Sequence, residues 1–211
     1  MKRFLISAFA LLALCAGAAA QDTWFCGEPG TKLSYVKKEA KSGAESTYDY
    51  IIKGKTVADG RTTITFDVVV PGQQGASGCS VWVENGEFHT DASASLGQFG
   101  EGITAKGNAP VLPEAPAVGM SLKDCAISID ALMLTSEFKK VKFTANEDVT
   151  VPAGTFNCWR LEYDVMDSVM GLKARNHVQQ WFAKGVGEVK AVTKDMGGRV
   201  VSEKELVKIA R

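Results

Sequence analysis

The stretch Val151-Pro152-Ala153-Gly154-Thr155-Phe156-Asn157-Cys158-Trp159-Arg160-Leu161-Glu162-Tyr163-Asp164-Val165 decides the fold class. Side chains alternate between the two faces of an extended chain, so Trp159, Leu161, Tyr163 and Val165 share one face. Phe156, Cys158, Arg160, Glu162 and Asp164 share the other, which starts apolar and becomes charged. A period of two among aromatic and branched residues predicts a half-buried strand. Pro152-Ala153-Gly154 is a turn whose glycine can take positive φ. Before it, Phe138 to Val151 carries Val141 and Phe143 in alternation, so the stretch is the returning arm of a hairpin.

The same signal recurs along the chain. Thr62 to Val70 places Ile64, Phe66, Val68 and Val70 on one face, and Pro71-Gly72 stops the strand. Asn85-Gly86, between Val81-Trp82-Val83 and Phe88, is the dipeptide preferred by a two-residue type I′ turn and predicts a second hairpin. Further strands are expected at Lys32 to Lys37, Thr47 to Lys53, Cys125 to Ala131, Ala174 to Phe182, Gly187 to Lys194 and Val200 to Ile209, about ten in all. Helical periodicity is almost absent. The prediction is an all-β fold: a curved antiparallel sheet or half-open β-barrel, with at most a short helix in the 92–117 region, near Ala92 to Gln98. That region holds four Gly and three Pro, and a loop of such length is usually functional or mobile. Gly72 to Gly78 is glycine-rich but lacks the Lys-Ser/Thr of a phosphate loop and leads into a strand, so it reads as an exposed connection.

Residues 1–20 stand apart. Lys2 and Arg3 precede the apolar run Phe4 to Leu14, interrupted only by Ser7, and Ala18-Ala19-Ala20 supplies small residues before Gln21. This is the pattern of a secretory signal peptide, leaving 21–211 as a single β domain. A membrane anchor needs about 20 apolar residues, more than this run supplies, and no later segment is long or apolar enough to cross a bilayer. Leu12-Ala13-Leu14-Cys15 is a partial lipobox, but the large Leu14 stands where a small residue belongs, so a lipoprotein is disfavoured.

The 211 residues carry 24 Lys+Arg against 24 Asp+Glu and are 45% hydrophobic, an ordinary globular composition. Loss of Lys2 and Arg3 leaves 22 basic against 24 acidic residues. Without a cationic excess the chain lacks the main electrostatic term of nucleic-acid binding. Four cysteines remain after cleavage, Cys26, Cys79, Cys125 and Cys158. An even number in an exported chain predicts two disulfides, and three pairings are possible. Zinc is the rival, but there is no Cys-x-x-Cys spacing and the nearest two cysteines are 33 residues apart.

Catalytic chemistry is thinly provided. His89 and His177 are the only histidines, and no Gly-x-Ser-x-Gly turn occurs. Glu87, His89 and Asp91 would lie along one strand face, which offers only a partial metal shell and reads as the wet side of a hairpin. Glu162 and Asp164 share a face, but so does Arg160, and spacing alone does not separate a catalytic pair from charge balancing. The abundant feature is large aromatic side chains. They read first as core, and alternatively Tyr50, Trp82, Trp159 and Trp181 line a cavity for an apolar ligand.

At Val151-Pro152-Ala153-Gly154-Thr155-Phe156-Asn157-Cys158, at Trp181-Phe182-Ala183-Lys184-Gly185-Val186-Gly187-Glu188-Val189-Lys190 and at the closing Glu205-Leu206, the chain resembles the TapB family, exported proteins found largely in Bacteroidales. Related bacterial domains of unknown function share the Pro-Ala-Gly-Thr-Phe and Trp-[Tyr/Phe]-Ala-x-Gly-Val-Gly elements. The resemblance implies a Gram-negative periplasm or cell envelope, a sheet curved like the half-barrels of lipoprotein carriers, and no known reaction or cofactor. It implies cysteine pairs of Cys79 with Cys158 and Cys26 with Cys125, and a partner, a tetratricopeptide-repeat protein. The expectation is therefore a non-enzymatic envelope protein that binds or scaffolds a partner. A carrier or sensor of an apolar, lipid-like ligand is the alternative, and a hydrolase the third reading.

Overall fold

The computed structural model describes residues 23–72, 76–91 and 104–211. In chain order the strands are β1 (Lys32–Glu39), β2 (Glu45–Ala58), β3 (Arg61–Val69), β4 (Ser77–Glu84), β5 (Glu87–Thr90), β6 (Lys106–Gly107), β7 (Leu112–Pro113), β8 (Cys125–Ile129), β9 (Leu134–Val151), β10 (Gly154–Val169), β11 (Leu172–Ala183), β12 (Gly187–Asp195) and β13 (Val200–Ala210). A 3-10 turn, Asp130–Leu132, joins β8 to β9. The signal peptide, Cys15 and the helix expected near Ala92 to Gln98 lie outside the described residues.

All thirteen strands form one antiparallel sheet in the order β6-β8-β9-β10-β11-β12-β13-β1-β2-β3-β4-β5-β7, so the all-β, curved-sheet expectation holds. Both expected hairpins are present. Asn85 and Gly86 take φ of 53° and 76° between the paired Glu84 and Glu87, as a type I′ turn requires. Gly154, at φ 140°, opens the return into β10. The inner faces follow the alternation: Ile64, Phe66, Leu161, Tyr163 and Val165 are buried.

What bends the sheet is the segment expected to be a structureless loop. Laid flat, thirteen strands would put β6 and β7 about 60 Å apart. Yet β6 pairs with β8 at one edge and β7 with β5 at the other, and Gly107 and Leu112 are joined by a span that reaches about 17 Å at most. The chain then returns: Gly119 N–H donates to Phe143 O (2.7 Å) and Leu122 N–H to Val141 O (2.8 Å) on β9. Two crossings of the gap thus strap the edges together without closing the ladder. Gly107 makes the first possible, since a Cβ there would sit 2.0 Å from Ala126 O.

The core that this strap closes over is filled by the chain's own N-terminal segment. Trp24, Phe25 and Cys26 are buried. Trp24 stacks on Phe143 (centroids 6.0 Å) and meets Phe182 edge-on (6.3 Å), while Phe25 packs on Phe66 (4.9 Å) and Tyr50 (6.3 Å). The Trp24 indole N–H donates to Pro113 O of the strap at 2.9 Å. From the β11–β12 turn, Gly185 N–H donates to Thr23 O at 2.6 Å, and Lys184 Nζ lies 5.1 Å from the Trp24 ring centroid while also donating to Glu114 O. Gly187, at φ 114°, leaves room for Phe25, whose ring a Cβ would approach to 2.9 Å.

Trp24→Ala is expected to lower unfolding stability by about 3–5 kcal/mol in urea titration. Gly187→Ala should destabilise more than Gly185→Ala, where an added Cβ meets nothing within 4 Å. Equal effects would contradict the packing of Phe25 on Gly187.

Candidate functional site

Beside the plug, past Tyr50 and Gly187, the interior wall turns polar. On β12 the register slips between Trp181 and Phe182 of its neighbour. Glu188 there pairs with Lys204, and its second oxygen accepts from Gln180 Nε2 (2.5 Å). Tyr163 Oη donates to Gln180 Oε1 (3.0 Å) and Tyr35 Oη to Glu188 O (2.9 Å). Tyr35 stacks on Tyr48 at 5.4 Å, and Tyr50 packs tilted against both at 5.0 and 5.6 Å. Burial pushes the Tyr35, Tyr50 and Tyr163 hydroxyls to higher pKa, so they act as neutral donors. Burial lowers Lys204, and the Glu188 carboxylate more than offsets it, leaving the ammonium above the ordinary lysine value. The network is a half-buried ion pair with aromatic walls.

The four residues expected to line an apolar cavity do not converge on one space. Tyr50 and Trp159 face inward from different walls; Phe25 packs on Tyr50, and Trp24 and Trp159 both contact Phe143. Trp181 aims its indole N–H at Glu147 (2.8 Å), beside Arg160 (3.2 Å from Glu147). Trp82 is stacked flat on His89 (5.2 Å, 4°) with Arg61 over its ring (4.3 Å). Trp82 and His89 line a cleft of about 200 Å³ with Asp91, Gly107, Asn108 and Val111, between the β4–β5 hairpin and the strap. On the Glu87-His89-Asp91 strand face, His89 and Glu87 are 3.7 Å apart. Among the described residues no cluster of His, Cys, Asp and Glu could hold a metal ion, and no helix is long and apolar enough to cross a membrane.

Glu162 and Asp164 meet on the outer face around His177, which lies 3.4 Å from Glu162 and 3.2 Å from Asp164. Glu162 accepts from Thr144 (2.9 Å) and Gln179 (3.0 Å) and pairs with Arg160 (2.9 Å). Asp164 is only 8% exposed and pairs with Arg175 (3.0 Å) and Lys140 (3.2 Å). Burial raises both carboxyls, but for Glu162 the Gln179 and Thr144 hydrogen bonds, and for Asp164 those from His177, Lys140 and Arg175, bring them below the usual carboxylate range. A glycosidase needs one of the pair protonated as acid; these two are held ionised and read as a charge-balanced face.

The expected disulfides are not formed. None of the four cysteines is bonded to another. Six strands separate Cys79 on β4 from Cys158 on β10 in the sheet order, and their Sγ atoms instead donate to Ser77 O and Phe156 O at 3.4 Å. Cys26 is buried with the plug, whereas Cys125 is half-exposed on β8. Burial pushes the Cys79 and Cys158 thiols up to about 12 and Cys125 to about 11, so their reactive thiolate forms are scarce.

Two features were missed in the sequence. The Trp24-Phe25 plug is one, and its signal was two adjacent large aromatics just past the cleavage pattern. The other is the set of exposed apolar residues at one end of the sheet, described below.

Asp164→Asn is expected to cost about 2 kcal/mol at neutral pH, the scale of hydrogen bonds to a charged group. Its depressed folded pKa means this stabilisation is present above the unfolded value of about 3.9 and lost as pH falls through the folded value. Urea midpoints of wild type and D164N should therefore converge on acidification below that range; a gap that stays constant to the lowest measurable pH would contradict the pairing. A thiol titration should report four reactive groups in the unfolded mature chain and, in the native one, reaction at Cys125 ahead of Cys158.

Two solved structures share the architecture. A protein from Bacteroides fragilis NCTC 9343, described as exported and as having a YmcC-like fold, superposes with a TM-score of 0.73 at 13% identity, covering 89% of this chain and 98% of its own. A protein from Parabacteroides distasonis ATCC 8503, described as a lipoprotein, gives 0.72 at 19% identity over the same shares. At these identities the likeness is one of fold. No curated protein matches the chain. The DUF3108-like family matches residues 28–206, a span that includes the Pro152-Ala153-Gly154-Thr155-Phe156 turn and the Trp181 to Lys190 segment, and the chain belongs to the DUF3108-like family.

Proposed function

We propose that the protein is an exported, non-enzymatic cell-envelope module that binds or scaffolds a partner through its surface. The observation that carries this reading is the filled interior. A half-barrel that transports an apolar ligand needs space between its walls, and here Trp24 and Phe25 take up that space from within the same chain. Export is supported by the leader pattern of residues 1–20 and by the description of the Bacteroides fragilis neighbour as exported. Although Leu14 departs from the usual lipobox, the description of the other neighbour as a lipoprotein supports including a form anchored at Cys15 in the proposal.

The partner would be another envelope protein, of the tetratricopeptide-repeat kind implied by the resemblance at the two glycine-containing turns. Chemical crosslinking in intact cells should recover one specific protein, and native mass spectrometry of the purified exported chain should show no lipid held in the barrel. Lipid at one-to-one occupancy, with Trp emission that shifts on adding fatty acid, would favour the carrier instead. No specific crosslinked protein would sink the partner reading.

A further inference from the structure

Nine large apolar residues are exposed among the described residues, and seven of them, Met133, Val169, Met170, Leu172, Met196, Val200 and Val201, sit at the same end of the sheet. Four crowd one tip. The turn from β8 to β9 carries Met133 and the β10–β11 turn carries Val169, Met170 and Leu172, the two turns being joined by Met170 N–H donating to Met133 O at 3.1 Å. Met133, Met170 and Leu172 are 62%, 70% and 81% exposed.

The turn chemistry shows that the backbone did not select these residues. Among the described residues, three two-residue hairpin turns have the same shape: Asp59-Gly60 at φ 51° and 76°, Asn85-Gly86 at 53° and 76°, and Met170-Gly171 at 51° and 83°. The first two use the residues that tolerate left-handed backbone. The third places a methionine there, with its side chain in solvent. Met133 also takes left-handed backbone, at φ 46°. Apolar side chains at strained, exposed positions point to a role outside the fold.

The tip is convex. The ladder between β11 and β12 begins at Asn176 and Asp195, so Leu172 to Arg175 continue beyond it, about 13 Å at strand rise. The four tip side chains offer on the order of 100 Å² each, about half of the ~800 Å² that each partner brings to a stable protein interface. A free cation follows directly: Lys173 adjoins Leu172 and makes no ion pair among the described residues, while Arg175, two residues further and 51% exposed, is paired with Asp164. Apolar side chains at an apex with Lys and Arg set one step behind match the order of layers met on entering a phospholipid surface, acyl region first and headgroup phosphates behind.

We propose that the Met133, Met170 and Leu172 tip rests in the surface of a phospholipid bilayer and orients the module on the membrane. This rests on the envelope reading above, and the occupant it names is lipid, where that reading names a protein for another face. A photoreactive benzoylphenylalanine at Leu172, irradiated in intact cells, should give an adduct of phospholipid mass. The same group at Val57, 71% exposed on the β2–β3 hairpin at the opposite end, should give none. Met170→Asn restores the residue favoured by the turn, so it should melt no lower than wild type while cutting the Leu172 lipid adduct at least fivefold. A discrete protein adduct at Leu172 would overturn the lipid assignment and leave the binding-module reading intact. Equal lipid adducts at Leu172 and Val57, no adduct at Leu172, or an unchanged yield in M170N would also overturn it, with the partner reading judged by its own crosslinks.

Discussion

The structure depends on Trp24 being held from three directions at once. Its ring is buried against Phe143 and Phe182, its indole N–H is tied to the strap at Pro113, and its neighbour Thr23 is tied to the β11–β12 turn at Gly185. A wide antiparallel sheet has no intrinsic reason to stop curling at a given radius, since twist and coil only set its sense. Here the radius is set by what lies inside. The Trp24-Phe25 pair supplies the volume, the strap crosses over it twice, and the Lys184 to Gly187 turn grips it from the far side. The glycine-rich motif of that turn thus has a mechanical explanation, because Gly187 is the surface on which Phe25 packs.

The distribution of charge follows from the same closure. Where the interior retains polar groups, at Lys204 and Glu188, each is paired and the surrounding tyrosines remain neutral, as a low-dielectric wall requires. On the outer face, Glu162, Asp164, Arg160, Arg175, Lys140 and His177 balance one another across β9, β10 and β11. What distinguishes the molecule is the end that violates its own turn rules, where methionine replaces asparagine or aspartate and apolar side chains project into water.

The fold was legible in the sequence because strand alternation is a local signal. Ile64 and Phe66, or Leu161 and Tyr163, announce their face by spacing alone, and Asn85-Gly86 announces its turn by the conformation that few other residues accept. The plug was not legible, since Trp24-Phe25-Cys26 has no period and its burial depends on strands from both halves of the chain, from Tyr50 to Phe182. The strap failed for a related reason: its two strands are two residues each, and only the pairing of opposite sheet edges reveals what the glycines and prolines of that region connect. Cysteine number suggested covalent ties, but parity carries no distance, and Cys79 and Cys158 fall on strands that the sheet order keeps apart. The expected lining residues are divided among different surroundings. Tyr50, Trp82, Trp159 and Trp181 were grouped by size, whereas the β-ladder sends Trp82 and Trp181 to polar partners.

The central claim is that the N-terminal segment is part of the core and not an appendage laid against it. Native-state hydrogen exchange followed by NMR at the Trp24 indole N–H and the Gly185 amide tests this directly, because both protons are locked only if the segment stays seated. The account expects both to exchange with the slowest amides of β10 and β13, through global unfolding. Exchange of either proton at the rate of the exposed turns, while those strands stay protected, would contradict it.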